Sequence, residues 1–321
     1  MERSVAAMAL VAALAACSPS RPSSPDRPVE ADTLPILTPG GFGEPAVVRP
    51  RATRDERIAF VSGRDGNLEI YAMGEDGSGQ VRLTYEPAID FDPAWSPDGT
   101  RILFTSTRTG GADVYVMKAD GSAQTRLTDD PGNDFRARWS PDGARIVFES
   151  DRDGNAEIYA MNADGTAQTR LTDDPGLDAD PDWSPDGTRI VFASDRDGDM
   201  EIYVMDGDGG AETQITRNRW DDEEPTWARS VAWIAFRSSR WETPDIYVMR
   251  PDGTRRTRVT TDDAYDVSPA WSPDGTRIAF QSTRGGFLRV FVMNADGTAQ
   301  LPLTDNTSGD GLPDWRATAT A

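Results

Sequence analysis

Aspartate, arginine and serine each recur once every 44 residues in this 321-residue chain. They are the polar side chains whose type and regular spacing could support chemistry. Carboxylates and guanidiniums in such a pattern can form ion pairs or hold a cation, and paired carboxylates can cleave a glycosidic bond. The aspartates are Asp90, Asp134, Asp178, Asp222, Asp266 and Asp310. The arginines are Arg64, Arg108, Arg152, Arg196, Arg240 and Arg284, each two residues after a serine. Because an active site breaks symmetry, recurrence in every copy argues against catalysis by these residues.

Composition excludes several other kinds of chemistry. The chain has no histidine, and its one cysteine is Cys17, which removes the Ser-His-Asp and Cys-His nucleophiles and the usual zinc sites. The net charge of −21 repels nucleic-acid phosphates and anionic lipid headgroups. We therefore expect no nucleic-acid partner, whereas a cationic surface, a peptide, a neutral sugar or a metal ion remains compatible.

The same 44-residue period is marked by six tryptophans, and a period of this length is typical of propellers and arrays. They are Trp95, Trp139, Trp183, Trp227, Trp271 and Trp315. Each copy contains four apolar segments separated by turn-forming residues, and in one copy they predict strands at 136–140, 145–150, 157–161 and 169–172. Four antiparallel strands, named A to D along the repeat, make one propeller blade.

The two ends of the repeat region predict how the ring closes. The first folded segment, from residue 57, begins with a strand B, and the last strand A ends near Trp315. Together they complete one blade, which removes free sheet edges. The sequence therefore predicts an all-β fold, a six-bladed β-propeller over residues 57–316 with a split blade, followed by a disordered tail at 317–321. The alternative is an open β-solenoid of the same units.

The repeat carries a family resemblance. Trp-Ser-Pro-Asp-Gly-Thr-Arg-Ile, Glu-Ile-Tyr-Ala-Met-Asn-Ala-Asp-Gly-Thr and Arg-Leu-Thr resemble the repeat of TolB-type propellers, also called PD40 or WD40-like. The resemblance spans residues 57–316 and implies a propeller that docks a lipoprotein across the mouth of its channel. Residues 1–56 do not resemble the α/β domain that precedes the propeller in TolB, so roles that depend on that domain are not implied.

The N-terminal sequence has the features of a targeting segment. The apolar run at 5–16 is shorter than the roughly 20 residues that span a bilayer, and it fits the core of a signal peptide over residues 1–16. Leu14-Ala15-Ala16-Cys17 resembles a bacterial lipobox, which implies lipidation at Cys17. Residues 17–56, rich in Pro and Ser, then form a tether. We expect an exported protein anchored by lipid in the outer membrane and facing the periplasm; the alternative is an ordinary secretory signal with a chance cysteine.

The D–A and B–C connections of a propeller emerge on one face, which we call the mouth face. The recurring aspartates belong to the D–A connections and the arginines to the B–C connections, so a ring of structural ion pairs is predicted. The alternative is an acidic ring that binds a cation over the central channel. The loops at 151–157 and 195–201 hold alternating acids, but their glycine is misplaced for a calcium loop. We therefore expect no cofactor, with calcium as the alternative.

Departures from the repeat concentrate in the fifth blade, counted with the split blade as the first. Trp220 and Trp241 appear there in loops of the mouth face, where other copies have small or polar residues. Further aromatic residues predicted for equivalent loops are Tyr85, Phe91, Phe135, Tyr265 and Phe287. Exposed aromatic rings at a propeller mouth can bind a peptide or a sugar. The alternative is that Trp220 and Trp241 pack on each other to cover a degenerate blade.

These features favour a monomeric, non-catalytic envelope lipoprotein whose propeller binds an envelope protein or peptide. A carbohydrate-binding module that uses Trp220 and Trp241 is the second hypothesis. A lyase or glycosidase that uses paired carboxylates is the third.

Overall fold

The computed structural model describes residues 57–305 and 309–316, and all helices and strands assigned there are β-strands. They form six four-stranded antiparallel sheets, each one blade of the predicted propeller. The innermost strands of successive blades contact each other in an unbroken ring. The prediction of a closed, six-bladed propeller is therefore confirmed, and the open solenoid is excluded.

Blades 2 to 4 each come from one continuous stretch of chain. Blade 2 contains β4 (Asp90–Trp95), β5 (Arg101–Ser106), β6 (Asp113–Lys118) and β7 (Thr125–Arg126). Blade 3 contains β8 (Asp134–Trp139), β9 (Arg145–Ser150), β10 (Glu157–Asn162) and β11 (Thr169–Arg170). Blade 4 contains β12 (Asp178–Trp183), β13 (Arg189–Ser194), β14 (Glu201–Asp206) and β15 (Thr213–Gln214).

Blades 5 and 6 are also continuous, and blade 1 is the split one. Blade 5 contains β16 (Asp222–Trp227), β17 (Ile234–Ser238), β18 (Asp245–Met249) and β19 (Thr257–Arg258). Blade 6 contains β20 (Asp266–Trp271), β21 (Arg277–Ser282), β22 (Arg289–Asn294) and β23 (Leu301–Pro302). Blade 1 joins β24 (Asp310–Trp315) to β1 (Arg57–Ser62), β2 (Glu69–Gly74) and β3 (Val81–Arg82).

The split blade closes as the sequence predicts. Strand β24 lies antiparallel to β1, with Ile58 opposite Trp315 and Ser62 opposite Asp310. One further backbone bond, from Arg316 N–H to the Arg57 carbonyl at 2.8 Å, extends the pairing beyond β24. The C-terminal strand thus covers what would otherwise be a free sheet edge.

The predicted strand bounds need correction: β11 covers only Thr169–Arg170 of the predicted 169–172, β10 ends one residue later than predicted, and the larger change is at β8, which ends at Trp139. Strand β8 begins at Asp134, two residues before the predicted start, because the Asp134 N–H donates to the Ala112 carbonyl at 2.8 Å in the preceding blade. The recurring aspartates therefore open the A strands and do not lie in the D–A loops. Between β8 and β9, Ser140-Pro141-Asp142-Gly143 forms a tight turn, in which the Gly143 N–H donates to the Ser140 carbonyl at 2.8 Å.

The core lies between neighbouring blades. In blade 3, Trp139 packs against Ala94 and Leu103 of blade 2. Ile146, Val147 and Phe148 all have 0% exposure, so β9 is buried on both faces. Each blade lies between two others, which explains why its central strands need apolar residues on both sides.

Candidate functional site

The recurring arginine is held by several neighbours, as blade 3 shows. Arg152 donates from Nε to Ser150 Oγ (2.8 Å), from Nη1 to Gln168 Oε1 (2.7 Å) and from Nη2 to Asp134 Oδ1 (3.0 Å). Its guanidinium also lies 4.7 Å from the ring centroid of Tyr159. Because these contacts occupy all three guanidinium nitrogens, the Arg152 side chain stabilises the blade and is not available to bind a ligand.

Five blades repeat the Asp–Arg contact. The pairs are Arg64–Asp310, Arg108–Asp90, Arg152–Asp134, Arg196–Asp178 and Arg284–Asp266, with N–O distances of 2.5–3.3 Å. All five carboxylates are fully buried. Burial raises the pKa of Asp134 and of Asp266 to about 6, although the adjacent serine and arginine act to lower it. The contacts form a buried ring of ion pairs, and the mouth face does not present an open ring of acids.

The predicted sixth pair, Arg240 with Asp222, does not form. Arg256 takes the place of Arg240 beside the carboxylate, 3.7 Å from Asp222 Oδ2. Arg240 instead lies 5.0 Å from the ring centroid of Trp220. Arg256 occupies the position at which the other blades carry Gln80, Gln124, Gln168, Glu212 and Gln300. A second cation at that position repels Arg240 and neutralises Asp222 in its place.

Trp220 adds a steric reason for the displacement of Arg240. Blades 3 and 4 have glycine at the position of Trp220. A β-carbon on Gly132 would lie 2.7 Å from Cα of Arg152, and one on Gly176 would lie 2.9 Å from Cα of Arg196. Blades 2 and 6 accommodate the small side chains of Ala88 and Ala264 at this position with the Asp–Arg pair intact. The much larger indole of Trp220 crowds the B–C loop and so favours the displacement of Arg240.

The aromatic residues predicted for the mouth face divide into two groups. Tyr85 is 70% exposed, Trp241 52%, Phe287 45% and Tyr265 38%, whereas Trp220 is half-buried. Phe91 and Phe135 are buried, and their ring centroids lie 6.3 Å apart. Both follow the aspartate that opens an A strand, so they point between blades and cannot belong to a binding surface.

Trp220 and Trp241 each stack on arginine and not on each other. Arg219 and Arg240 lie 4.8 and 5.0 Å from the ring of Trp220. The Trp241 indole N–H donates to the Tyr247 hydroxyl at 2.8 Å, and Arg258 lies over its ring at 5.0 Å. Fixed, partly exposed indoles beside cations are suited to binding a ligand with anionic and apolar groups.

The central channel is lined by the third residue of each A strand, which adopts a left-handed backbone. These residues are Asp92, Arg136, Asp180, Glu224, Ser268 and Leu312, with φ between 50° and 56°. The cavity at their level has a volume of about 60 Å³. A cavity of this size holds a few water molecules and is smaller than the roughly 150 Å³ cavity that binds benzene in an engineered protein, so it does not suit a sugar ring.

Buried charges neutralise one another within the channel. Asp182 Oδ2 and Asp314 Oδ2 accept the backbone N–H groups of Trp227 and Trp95, each at 2.7 Å, and Arg136 pairs with Asp180. Burial raises the pKa of Asp182 and of Asp314, against the lowering effect of Arg138 and the backbone bonds. The repeat did not predict this site, because a repeat indicates only the features that all blades share. The available signal was that the residue type at this strand-A position varies from blade to blade.

Comparisons with known proteins agree with this geometry. The family model described as the TolB beta propeller domain (PD40) matches residues 49–131, 109–174 and 169–316. The chain belongs to this family.

Three relatives of this TolB-type propeller show how far the likeness extends. The Tol-Pal system protein TolB of Desulfosudis oleivorans is 49% identical over 45 residues, 14% of this chain and 10% of that protein. The crystal structure of TolB from Acinetobacter baumannii has a TM-score of 0.71 at 23% identity, covering 81% of this chain and 66% of that one. A protein assigned as TolB from Agrobacterium tumefaciens has a TM-score of 0.66 at 26% identity, covering 80% and 91%. The chain thus spans less than two thirds of the first two relatives, and the second likeness concerns the fold alone.

A second set of buried carboxylates in this TolB-type propeller escaped the sequence analysis. They open the C strands and pair with an arginine of the adjacent D strand at 2.5–2.7 Å. The pairs are Glu69–Arg82, Asp113–Arg126, Glu157–Arg170 and Asp245–Arg258. Blade 4 differs because Gln214 stands where the arginine would be. Its carboxylate, Glu201, accepts the backbone N–H of Asn218 instead, and burial, together with nearby Asp222, raises the pKa of Glu201 to about 7.

Glu201→Gln is expected to stabilise the propeller in a pH-dependent way. The raised pKa means that folding favours protonated Glu201; this stability is complete below about pH 4 and is lost as the pH rises through about 7. The free energy of unfolding of the variant at pH 8 should therefore exceed that of the parent by on the order of 1 kcal/mol, with a correspondingly higher melting temperature. At pH 4 the two proteins should melt at the same temperature. Glu157→Gln is the matched control and should lower the melting temperature at pH 8, because it breaks the pair with Arg170. Destabilisation by both substitutions at pH 8 would contradict the assignment.

The remaining predicted sites are the candidate calcium loops, which are B–C connections, and segments that lie outside the described residues. Cys17, the signal peptide at 1–16, the tether at 17–56 and the tail at 317–321 lie outside them. Between residues 57 and 316, the described part contains no helix that could cross a membrane. In the loop at 151–157, Asp153 accepts the Tyr159 hydroxyl, and Asn155 donates to Glu157 Oε1 at 3.0 Å. No group of three acids arranged for a metal ion occurs in the described ranges.

Proposed function

We propose that this chain is a non-catalytic, protein-binding propeller of the bacterial envelope and that its partner docks on the mouth face around blade 5. The rewired contacts of Arg240 carry the proposal. Five blades use this arginine internally, whereas blade 5 replaces it with Arg256 and leaves Arg240 beside Trp220. Exposed Trp241 and Tyr265 lie on the same face. Aromatic and arginine residues are the types that contribute most to protein interfaces.

The geometry supports binding over catalysis. The recurring carboxylates are buried and paired with arginine, so they cannot reach a substrate on the mouth face. The acids of the channel surround a space of about 60 Å³, which is too small for the sugar ring that a lyase or glycosidase would need to hold. No histidine is present in the sequence to act as a general base at neutral pH.

The proposal includes export and a lipid anchor. We infer that residues 1–16 are removed as a signal peptide, that Cys17 carries the lipid, and that residues 17–56 tether the propeller to the outer membrane on its periplasmic side. Leu14-Ala15-Ala16-Cys17 and the Pro- and Ser-rich composition support this inference. A relative named as a component of the Tol-Pal system supports an envelope setting and protein partners, as does membership of the TolB propeller family.

Capture from solubilised envelopes tests the proposed function. The full chain, immobilised, should retain a protein that is lost when Trp241→Ala is combined with Tyr265→Ala, because the two substitutions remove exposed rings from the mouth face. Thr254→Ala is the matched control, since Thr254 is exposed in a C–D turn on the opposite face. Equal retention by the double variant and the control would contradict docking on the mouth face. Retention of glycans alone would favour the carbohydrate-binding hypothesis.

A further inference from the structure

We propose that Arg219 and Arg240, which both stack on Trp220, bind the carboxylates of an acidic peptide segment in a protein partner. This inference rests on the proposed function and adds the chemical class of the segment that docks at blade 5. Three features of blade 5 support it: the charge of its D–A loop, the arginines that lack carboxylate partners, and the exposed aromatic rings beside those arginines.

The D–A loop that leads into blade 5 reverses the charge of its equivalents. Residues 217–220 read Arg-Asn-Arg-Trp, with two cations and no acid, and Asp221 follows as the one acid of the loop. The equivalent loops read Tyr-Glu-Pro-Ala at 85–88, Asp-Asp-Pro-Gly at 129–132 and 173–176, Thr-Asp-Asp-Ala at 261–264 and Asp-Asn-Thr-Ser at 305–308. In a protein with a net charge of −21, one of the six D–A loops is therefore cationic. A local positive charge attracts an anionic partner that the rest of the surface repels.

Within the part of the chain that the structure describes, the arginines of this loop and Arg240 of the adjacent B–C loop lack a carboxylate partner. Within the described ranges, Arg217, Arg219 and Arg240 form no ion pair, whereas Arg152 at the position of Arg240 in blade 3 contacts both Asp130 and Asp134. Blade 5 carries Asn218 at the position of Asp130, and this amide donates to Asp222 Oδ2 at 2.8 Å. Because Asn218 is neutral, Arg240 lacks the anionic partner that Asp130 provides in blade 3. Its second potential partner, Asp222, pairs with Arg256 instead.

Trp220 holds the two guanidiniums in place. Arg219 and Arg240 lie 4.8 and 5.0 Å from its ring. Stacking on an aromatic ring restricts a guanidinium but leaves the N–H groups at its edge free to donate to a carboxylate in a bidentate manner. Two guanidiniums that stack on the same indole suit neighbouring carboxylates, as an acidic peptide segment presents them.

The adjacent surface favours a peptide that also carries an aromatic or apolar side chain. Trp241 follows Arg240 directly and is 52% exposed, and Tyr265 in the next D–A loop is 38% exposed. Rings of this kind, placed beside the cations, can pack against the apolar residue of the segment while its acids pair with arginine. The complementary ligand is therefore an acidic segment that contains an aromatic residue.

A labelled peptide of repeated Glu-Glu-Phe-Glu-Glu tests the inference, with fluorescence anisotropy as the readout and the full chain as the receptor. The peptide should bind at low salt and weaken as salt rises, because its contacts are between exposed charges. Arg219→Ala combined with Arg240→Ala should raise the Kd about tenfold or more. Arg255→Ala is the control: it removes one cation from an exposed C–D turn on the opposite face, where Ala123, Ala167, Ala211 and Ala299 occupy the equivalent positions.

Several outcomes would overturn the inference. They are failure of the acidic peptide to bind at low salt, unchanged affinity in the double variant, or equally tight binding of a Lys-Lys-Phe-Lys-Lys repeat. Arginine-dependent binding of oligogalacturonate, with no binding of the peptide, would assign the site to an acidic sugar and overturn the peptide as its ligand.

A loop-restoring variant separates lost binding from lost folding. Arg217→Asp, Arg219→Pro and Trp220→Gly together give the loop a sequence close to that at 129–132 and 173–176. This variant should keep the parental melting temperature and lose the peptide; peptide binding at parental affinity would contradict the proposal. If the double arginine variant still captures the envelope protein that Trp241→Ala with Tyr265→Ala loses, the acidic-segment inference fails while the proposed function stands. If neither variant loses that protein, both fail.

Discussion

A chain that ends at Gly309 is expected to lose its cooperative unfolding transition and to aggregate. This truncation removes β24, which pairs with β1 over the register from Ile58–Trp315 to Ser62–Asp310. It leaves the backbone groups of β1 exposed as a free sheet edge, and it removes the buried indole of Trp315 from the core. Circular dichroism during heating and size-exclusion chromatography should both report the loss.

The matched control for this truncation is a chain that ends at Arg316. It lacks only residues 317–321 and keeps the bond between Arg316 N–H and the Arg57 carbonyl. Its melting temperature should equal that of the full chain. A Gly309-terminated chain that stayed monomeric and melted cooperatively at the parental temperature would show that closure by β24 is not what stabilises the ring.

Arg152→Ala is expected to lower the free energy of unfolding by about 3 kcal/mol, within the range for removing one partner of a buried ion pair. Asp134 is fully buried, and Asp130 also contacts Arg152, so the substitution leaves one carboxylate in the core and another at its edge without their cation. Chemical denaturation at pH 7 measures the effect. At lower pH the loss should shrink, since protonated Asp134 no longer needs a counterion.

Arg240→Ala is the control at the same position of the repeat in blade 5. Here the cation beside the buried carboxylate is Arg256, and Arg240 contributes only its contact with Trp220. The expected loss is about 1 kcal/mol or less, the usual size of an exposed cation–π contact. Equal losses in the two variants would mean that Arg240 is as structural as its five counterparts, and it would remove the basis for a binding site at blade 5.

The period of the repeat was enough to predict the fold. The spacing of Trp95 and its five equivalents implied six blades, and the incomplete first and last copies implied closure through β24 and β1. These features are predictable because every blade is built in the same way, with a tight turn, an indole in the core and strands that are buried between neighbouring blades.

The individual contacts of blade 5 could not be predicted from the period. Symmetry implied a pair between Arg240 and Asp222, but the bulk of Trp220 and the charge of Arg256 together displace Arg240. Both residues were visible in the sequence. Their effect depends on distances of 2.7–2.9 Å between a loop glycine and the next loop in other blades, and only the folded structure supplies these distances.

Burial changed the interpretation of two aromatic residues and one acid. Phe91 and Phe135 were expected on the mouth face, but a strand that starts earlier turns them between blades. Glu201 occupies the same position of the repeat as four other acidic residues. It lacks their ion pair because Gln214 replaces the arginine on the adjacent strand. Pairings between strands of one blade depend on register, which the period constrains but residue types do not specify alone.

Site-specific photo-crosslinking in intact cells tests the central claim most directly. Benzoylphenylalanine placed at position 241 lies on the mouth face of blade 5, and at position 254 it lies on the opposite face. We expect a discrete protein adduct from position 241 that disappears when Arg219→Ala and Arg240→Ala are added, and no such adduct from position 254. An adduct of equal yield from position 254, or none from position 241, would contradict a protein-binding mouth face.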